Sequence, residues 1–264
     1  MKLYGSLHDV MVAASAAMTT RASSVHTEKW QGKEVGDIPA AGMMEVLDFD
    51  FKVPMPQKQS DLARMVEPNL PWAENHFQER IAGKPLNPGV QWKNWPWANS
   101  ADTFRTDTLF THTYMERFWP KWANLPEGSL SHKGIRYTYG DLDDVIHLLH
   151  AQPLTRQAFL PVFFPEDTGA AHGGRIPCTI GYHFMRRGTG FHMWYWIRSC
   201  DYYRHFRDDV YMAVRLADHI LGRLVNLDEE NWRDIHLGMM HMDVASLHLF
   251  INDYRKLFGD QKWK

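Results

Sequence analysis

Residues 176–201 read IPCTIGYHFMRRGTGFHMWYWIRSCD, and this stretch decides the fold more than any other. Apolar residues alternate with other residues on both sides of the glycine-rich segment 187–190. Alternation with a period of two predicts β-strands, and two such runs joined by a short glycine-containing turn predict a β-hairpin. We therefore expect residues 176–199 to form two antiparallel strands. The residues expected on one face of the first strand are Ile176, Cys178, Ile180 and Tyr182.

The pattern outward from this hairpin predicts further helices and strands. Helical spacing and capping residues predict helices over residues 6–18, 71–82, 141–150, 208–225 and 246–258, and strands are expected over 43–53, 158–164 and 239–244. Ser6 is the expected N-cap of the first helix. Residues 84–134 are rich in Pro, Trp and Asn, with one helical stretch at 113–118, and predict an irregular insert. No repeat or linker divides the chain, so we expect one α+β domain over residues 1–264.

The composition is that of an ordinary globular protein, with 44% hydrophobic and 23% charged residues. The formal net charge of -2 gives no basic excess of the kind that binds nucleic acid. The apolar stretch 10–18 is too short to span a bilayer, and Gly5, His8 and Asp9 interrupt a signal-peptide pattern. The two cysteines fit a reducing compartment, so we expect a cytoplasmic protein with no nucleic-acid or membrane partner. The histidines and cysteines have no spacing typical of zinc sites, and we expect no metal.

Cys178 is a candidate nucleophile. A free cysteine is most often a small buried apolar side chain, and this is the alternative interpretation. A nucleophilic thiol needs a nearby cation that lowers its pKa. Arg198, at the far end of the returning strand, comes close to the level of Cys178 in the expected hairpin. The alternative for Arg198 is a surface salt bridge.

Segment 198–209, RSCDYYRHFRDD, is dense in arginine and acid immediately before a helix. Runs of charge are usually solvated surfaces, and this alternative stays open. Helix N-termini bind anions, but Asp208 and Asp209 at this helix start would repel a phosphate. If the segment binds a nucleotide, its arginines therefore take the phosphate and an acid takes another group.

Taken together, these residues resemble a known family. Pro177-Cys178, the hairpin, Arg198-Ser199-Cys200-Asp201 and segment 246–250, SLHLF, resemble the active-site half of the thymidylate synthases. They are still more similar to the dCMP hydroxymethylases of phages. The resemblance covers residues 155–257 and extends weakly to Glu74 and Tyr139-Gly140. It implies a thymidylate synthase-like fold with a mixed β-sheet packed by helices, a homodimer formed through the sheet face, a pyrimidine nucleoside monophosphate as substrate, and 5,10-methylenetetrahydrofolate as co-substrate.

The resemblance implies how the nucleotide is held and attacked. Cys178 adds to C6 of the pyrimidine. Arg198 and Ser199 bind the phosphate and keep the surroundings of the thiol electropositive. Arg156 matches an arginine that reaches across the dimer interface to the phosphate in the partner subunit. The family usually has a second arginine next to it, where this chain has Gln157.

The resemblance also implies roles around the cofactor, the sugar and the base. Asp201 matches the acid that touches the folate pterin, and His248 the residue that holds the sugar hydroxyl. Glu74 matches a glutamate that organises water and proton transfer near the base. Trp95 matches a tryptophan near C5 and the cofactor. The alternatives are a helix-surface acid for Glu74 and a core aromatic residue for Trp95.

Asp209 bears on the choice of base. Thymidylate synthases have Asn at this place, whereas the dCMP hydroxymethylases have Asp in a segment similar to Phe206-Arg207-Asp208-Asp209. An amide pairs with O4 and N3-H of uracil, whereas cytosine presents an amino donor and an N3 acceptor, which suit a carboxyl group. A mismatch leaves buried polar groups unpaired, at about 1–3 kcal/mol each. We therefore expect Asp209 to select cytosine, and dCMP to become 5-hydroxymethyl-dCMP, unless Asp208 or Asp209 is merely a helix N-cap.

Departures from the family pattern leave other functions open. Phe250 replaces a tyrosine that usually helps His248 to bind the sugar, so CMP is an alternative substrate. The C-terminal residues 261–264 are unlike the tail that closes the thymidylate synthase site, which favours water over hydride as the final reactant. A dCMP or dUMP C5 methyltransferase is a second alternative. A nucleotide-binding protein without catalysis is a third, although Cys178, Arg198 and His248 speak against it.

Overall fold

The computed structural model describes residues 1–30, 33–98, 105–106, 109–121, 140–170 and 175–259. Its strands are β1 (Lys2–Leu3), β2 (Ser23–Val25), β3 (Lys29–Trp30), β4 (Lys33–Glu34), β5 (Met43–Pro54), β6 (Arg105–Thr106), β7 (Leu109–Phe110), β8 (Phe159–Pro161), β9 (Thr179–Arg187), β10 (Gly190–Ile197), β11 (Cys200–Asp201) and β12 (His236–Phe250). Its α-helices are α1 (Leu7–Thr20), α2 (Gln59–Val66), α3 (Trp72–Arg80), α4 (Tyr114–Phe118), α5 (Leu142–Ala151), α6 (Phe206–Leu227), α7 (Glu229–Trp232) and α8 (Ile251–Phe258).

The large sheet has the strand order β1-β5-β12-β10-β9-β8. β5 and β9 run antiparallel to their neighbours β12 and β10, whereas β10 and β12 run parallel to each other. β2 pairs with the start of β5, and β11 pairs with the end of β12. The protein is therefore an α+β fold with an open mixed sheet, as predicted.

Helices cover this sheet, with α6 at the centre. α6 packs against β10 and β12, while α2, α3 and α5 pack around α6 and α1 packs against β5. The apolar side of α6 recurs every three or four residues and comprises Phe206, Val210, Ala213, Val214, Ala217, Ile220, Leu221 and Leu224. Ser6 is the N-cap of α1, as predicted, because its Oγ accepts the backbone N–H of Asp9 at 3.2 Å. None of the described helices is long and apolar enough to cross a membrane.

A set of aromatic side chains lies on the sheet among half-exposed positions. His183 of β9, Trp194 and Trp196 of β10 and His241 of β12 are half-buried. The Trp194 and His241 rings stack at 4.3 Å between centroids. Phe159 of β8 is 39% exposed and lies 6.1 Å from the Trp196 ring. We call these five residues the aromatic sheet face.

β9 and β10 form the predicted hairpin. Gly188 in the turn has a φ of 55°, a conformation that favours glycine. Near Cys178 the pairing register shifts, and Ile180 is left as an extra residue in β9. The predicted alternation therefore does not extend unbroken to Cys178, because the bulge interrupts it and Cys178 precedes the strand.

The predicted last helix is wrong over its first residues. β12 continues to Phe250, and α8 begins only at Ile251 and ends before Gly259. Residues 246–250 are strand because they pair with β5 on one side and partly with β11 on the other, and this pairing overrides local preference. His248 therefore lies in a central strand.

The described part of the insert 84–134 is irregular, as predicted, and is attached to the rest of the protein. The Asn87 side chain bonds both the N–H and the carbonyl of Phe110 at 2.9 Å. Arg117 of α4 and Asp167 form a buried ion pair with two N–O distances of 2.9 Å. The rest of the insert, residues 99–104, 107–108 and 122–134, lies outside the described residues, as does Tyr139.

Candidate functional site

Cys178 lies immediately before β9 and is half-buried, whereas Cys200 is buried. Arg198 lies opposite, as the hairpin predicted, and its backbone N–H donates to the Cys178 carbonyl at 2.9 Å. The Arg198 guanidinium also donates to the carbonyls of Pro177 at 2.9 Å and Ile176 at 3.1 Å. A guanidinium has five N–H donors. Arg198 therefore orients the segment that carries the thiol and retains donors for an anion.

The environment of the thiol combines burial with two cations. Burial raises the pKa of Cys178 above its ordinary value, while Arg198 and Arg175 act in the opposite direction. The expected cation is present, but burial outweighs it, and the thiol keeps its proton near neutral pH. Sequence reasoning missed Arg175, although its place three residues before the cysteine was visible.

A chain of hydroxyl groups runs beside Cys178. The Thr179 Oγ1 lies 3.1 Å from the Tyr114 hydroxyl and 3.0 Å from the Tyr195 hydroxyl. Burial raises the pKa of Tyr114 well above its ordinary value, so this hydroxyl stays protonated. Sequence reasoning missed Tyr114 because α4 belongs to the insert, where no pattern placed it near the hairpin.

The two acids at the start of α6 are used differently. His205 is the N-cap of α6, so the interpretation of Asp208 or Asp209 as an N-cap is wrong. Asp208 is buried and accepts the backbone and side-chain N–H groups of Asn69 at 2.8 and 2.9 Å. Asp209 is half-buried, and among the described residues only the Cys200 thiol donates a hydrogen bond to it, at 3.6 Å.

The carboxyl group of Asp209 can both donate and accept near neutral pH. Burial raises the pKa of Asp209 to about 7, against the opposing effect of Arg80 and with a further increase from Asp208. Around this pH the group therefore exists with and without its proton. The charge of Asp209 also acts on the Cys178 thiol, so the two groups belong to one site.

Arg80, the last residue of α3, brings a buried cation to this site. It is only 6% exposed, and its guanidinium carbon lies 4.2 Å from the centre of the Tyr114 ring. Its Nε is buried and has no hydrogen-bond partner among the described residues. Sequence reasoning missed Arg80 because an arginine in the last turn of a helix usually faces solvent, where it complements the helix dipole.

β11 brings Asp201 to the level of His248 in β12. Both residues are buried, and the Asp201 Oδ1 accepts the backbone N–H groups of Tyr203 and Arg204 at 3.0 and 2.9 Å. Burial raises the pKa of Asp201 and lowers that of His248, so the imidazole is neutral near pH 7. The charge of Asp201 acts on Cys178 as well, which joins this pair to the thiol.

Glu74 forms an ion pair between α3 and α6. Its carboxylate accepts two hydrogen bonds from Arg215 at 3.0 Å and one from the Tyr211 hydroxyl at 2.8 Å. Burial acts to raise the pKa of Glu74, but hydrogen bonds from Arg215, Gln78 and Tyr211 lower it overall. Tyr211 and Arg215 are one turn apart on α6, whereas Asp209 projects from the other side of that helix. The role of Glu74 near the base therefore stays a prediction, and its described contacts are those of an interhelical ion pair.

Trp95 belongs to an aromatic stack at the start of α6. The half-buried ring stacks on His205 at 5.0 Å between centroids and lies 6.2 Å from Trp72 and 5.6 Å from Trp97. Its indole N–H is buried without an acceptor among the described residues. The stack borders the site because the backbone N–H of His205 donates to the Asp201 carbonyl at 3.0 Å.

The other predicted phosphate ligands lie nearer the surface. Ser199 is half-buried between β10 and β11, and Arg156 is exposed before β8. The His183 Nε2 lies 3.0 Å from the Arg156 carbonyl oxygen. Arg156 thus adjoins the aromatic sheet face.

The structure brings four other predicted site residues to the surroundings of Cys178: Arg198, Asp201, Asp209 and His248. It adds three that sequence reasoning missed: Arg80, Tyr114 and Arg175. No protein-family model matches the chain, and a comparison with curated proteins gives no significant match. The function therefore rests on the chemistry of this arrangement.

Proposed function

We propose that the chain is a folate-dependent one-carbon transferase that hydroxymethylates C5 of a cytosine nucleotide, with dCMP as the preferred substrate. The observation that carries the proposal is the half-buried Cys178, whose neighbour Pro177 accepts a hydrogen bond from the Arg198 guanidinium and whose thiol is influenced by the charges of Arg198 and Asp209. A nucleophile, an anion ligand and a group that reads the base are the parts needed to attack a pyrimidine nucleotide at C6.

The protonation of Asp209 supports cytosine as the base. A protonated carboxyl group donates to cytosine N3 and accepts from the N4 amino group, and a pKa of about 7 makes that form accessible at neutral pH. The ionised form has acceptors only, so it leaves uracil O4 without a donor, whereas a protonated cytosine N3 supplies the donor itself. Each unmatched buried group costs about 1–3 kcal/mol, enough to set the preference.

Covalent addition is needed because C5 of a pyrimidine is a poor nucleophile. Cys178 loses its proton as the S–C6 bond forms, and C5 gains carbanion character. C5 attacks the one-carbon unit, which 5,10-methylenetetrahydrofolate supplies. Loss of the C5 proton and departure of the folate leave an exocyclic methylene group. Water adds to this group to give 5-hydroxymethyl, and release of Cys178 restores the C5–C6 double bond.

The aromatic stack around Trp95 suits the folate. A pterin is a flat heteroaromatic ring with several acceptors, and the Trp95 indole N–H is buried without an acceptor among the described residues. Asp201 lies next to this stack and suits the donor groups of a pterin. Trp95 and Asp201 are therefore the proposed cofactor ligands.

We assign the remaining residues to the binding of the phosphate and the sugar. Arg198 has unused donors for the phosphate, and Ser199 follows it in the chain. A second subunit on the aromatic sheet face would bury its half-exposed rings and bring the exposed Arg156 to the neighbouring site, which is why we propose a homodimer. His248, buried and neutral, is the proposed ligand of the sugar hydroxyl. Phe250 adds no hydroxyl to it, so CMP is the second candidate substrate.

Tritium release tests the proposal. Purified protein is mixed with methylenetetrahydrofolate and with C5-tritiated dCMP, CMP or dUMP, and the product is identified by its mass. We expect release from dCMP and formation of 5-hydroxymethyl-dCMP. Stoichiometric dihydrofolate would instead indicate methyl transfer, because only hydride transfer oxidises the folate. Nucleotide binding without release from any substrate would indicate the non-catalytic alternative.

Cys178→Ala removes the nucleophile and should abolish tritium release. The matched control is Cys200→Ala, which removes the other cysteine and should retain turnover. Turnover by Cys178→Ala would contradict the proposed mechanism.

A further inference from the structure

Arg80 is a buried charge whose position needs an explanation. Arg80 is only 6% exposed, and the burial of a charged residue is costly unless acceptors replace the lost water. Arg117, the other arginine that is buried among the described residues, has such acceptors and donates two hydrogen bonds to Asp167 at 2.9 Å. The Arg80 Nε is buried without a partner among the described residues, and the guanidinium lies against the face of the Tyr114 ring. Such a group suits an acceptor that arrives with a ligand.

The contacts of Arg80 indicate that a ligand group accepting its hydrogen bonds would lie near Cys178. The Tyr114 ring beneath the guanidinium carries the hydroxyl that bonds Thr179, the residue after Cys178. The charge of Arg80 is also the strongest one acting on Asp209. A ligand between Cys178 and Asp209 therefore comes within reach of Arg80.

We infer that Arg80 is a further catalytic residue of the proposed reaction, which donates hydrogen bonds to O2 of the cytosine ring and stabilises the negative charge that develops there when Cys178 adds to C6. This inference rests on the proposed function. Along the edge of cytosine the order is O2, N3 and N4. Asp209 pairs with N3 and N4, and Arg80 takes the adjacent oxygen.

The movement of electrons when Cys178 adds to C6 explains why a cation near O2 of the cytosine ring is useful. The Cys178 sulfur forms a bond to C6, and the C5–C6 double-bond pair moves between C5 and C4. The C4–N3 double-bond pair moves onto N3, from which the charge spreads to O2. Asp209 transfers or shares its proton with N3, and Arg80 faces the charge on O2. Preorganised donors at developing charge act most strongly where water is excluded.

The test compares Arg80→Gln and Arg80→Lys with the wild type in the tritium-release assay. We expect Arg80→Gln to lower kcat by about 10²–10³-fold with a smaller change in KM, the usual result of removing one donor to a developing charge. Arg80→Lys keeps the positive charge and should recover part of the loss. The control is Arg64→Gln, which removes an exposed arginine of α2 and should leave kcat unchanged. Unchanged kcat in Arg80→Gln, or no recovery in Arg80→Lys, would overturn the inference.

The pH profile separates this role from a merely structural one. Asp209 is faced by Arg80 of α3, by Asp208 of its own helix, by Cys200 and Asp201 of β11, and by Cys178, Tyr114, Tyr182 and Tyr195. Activity requires the Asp209 proton, so kcat/KM falls as the pH rises through the pKa of Asp209. Arg80 lowers this pKa, and Arg80→Gln should move the alkaline limb to higher pH. A loss of activity with an unmoved limb would overturn the inference.

The two proposals fail in different ways. If wild-type protein releases no tritium from any of the three nucleotides, the proposed function is wrong. If the wild type is active and the Arg80 variants match it, the proposed function stands and only the role of Arg80 is wrong.

Discussion

α3 and α6 each contribute one acid and one arginine to two places, and the two places are built in opposite ways. On one side Glu74 of α3 meets Arg215 of α6 in a two-fold hydrogen-bonded ion pair at 3.0 Å. On the other side the charges are exchanged, with Arg80 on α3 and Asp209 on α6. There the two groups share no hydrogen bond among the described residues, although the charge of Arg80 lowers the pKa of Asp209.

The Glu74–Arg215 pair contributes to stability, whereas we assign Arg80 and Asp209, at the other side of the same helix interface, to the proposed function. The Glu74–Arg215 pair is satisfied, and the pKa of Glu74 is lowered as a result. Arg80 is buried and Asp209 is half-buried, neither with a comparable partner among the described residues, and the pKa of Asp209 is raised to about 7. A protein that tolerates such groups gives up stability at a binding site, which is a common trade-off in enzymes. The side that costs stability is the side that faces Cys178.

The largest effect expected from the acids of this comparison concerns Asp209, the proposed base-reading residue. Asp209→Asn should shift the preference from dCMP towards dUMP by at least about tenfold, because each mismatched group costs about 1–3 kcal/mol and 1.4 kcal/mol is tenfold. The measurement is the ratio of kcat/KM for tritium release from the two nucleotides.

Asp208→Asn is the matched control for this exchange, since it makes the same change at the neighbouring residue. Asp208 accepts two hydrogen bonds from Asn69, so its replacement should weaken the fold and leave the base preference unchanged. An unchanged preference in Asp209→Asn would refute the pairing argument for cytosine.

The sequence predicted those features of the site that follow from the alternation or helical spacing of neighbouring residues. The hairpin, the level of Arg198 opposite Cys178 and the extent of α6 all came from alternation and helical spacing. Arg80 could not be found this way, because its burial depends on α4, which lies in the irregular insert. The strand at His248 was missed for a similar reason, since it depends on pairing with the distant β5.

An intermediate effect concerns the stability of the satisfied pair. Glu74→Gln should lower the free energy of unfolding at pH 7 by about 2 kcal/mol, between the values typical of exposed and of buried ion pairs, because the side chains are 14% and 23% exposed. The folded-state pKa of Glu74 is lowered, so its contribution is present above its ordinary value of 4.5 and is lost as the pH falls. The difference between variant and wild type in urea unfolding should therefore shrink towards pH 3.

Asp209→Asn should show the opposite pH dependence. The folded-state pKa of Asp209 is raised from 3.8 to about 7, so stability present at low pH is lost as the pH rises through 7. The introduced amide does not titrate, so the variant does not lose this stability. Its free energy of unfolding should therefore rise relative to that of the wild type as the pH rises from 4 to 8. Parallel pH trends for Glu74→Gln and Asp209→Asn would remove the distinction between the two sides. The control is Asp61→Asn, which breaks an exposed ion pair with Arg64 and should change stability by less than about 1 kcal/mol at any pH.

The smallest expected effect tests whether Asp209 responds to its one described hydrogen-bond donor. The Cys200 thiol donates to Asp209 at 3.6 Å and lowers its pKa. Such a weak bond contributes about 0.5 kcal/mol and one pKa unit is 1.36 kcal/mol, so Cys200→Ala should move the alkaline limb of kcat/KM upward by about 0.4 pH unit. Cys200→Ser places a stronger donor at the same site and should move the limb downward. Shifts in the same direction for both variants would mean that cavity formation at this buried position, rather than the hydrogen bond, governs the protonation of Asp209.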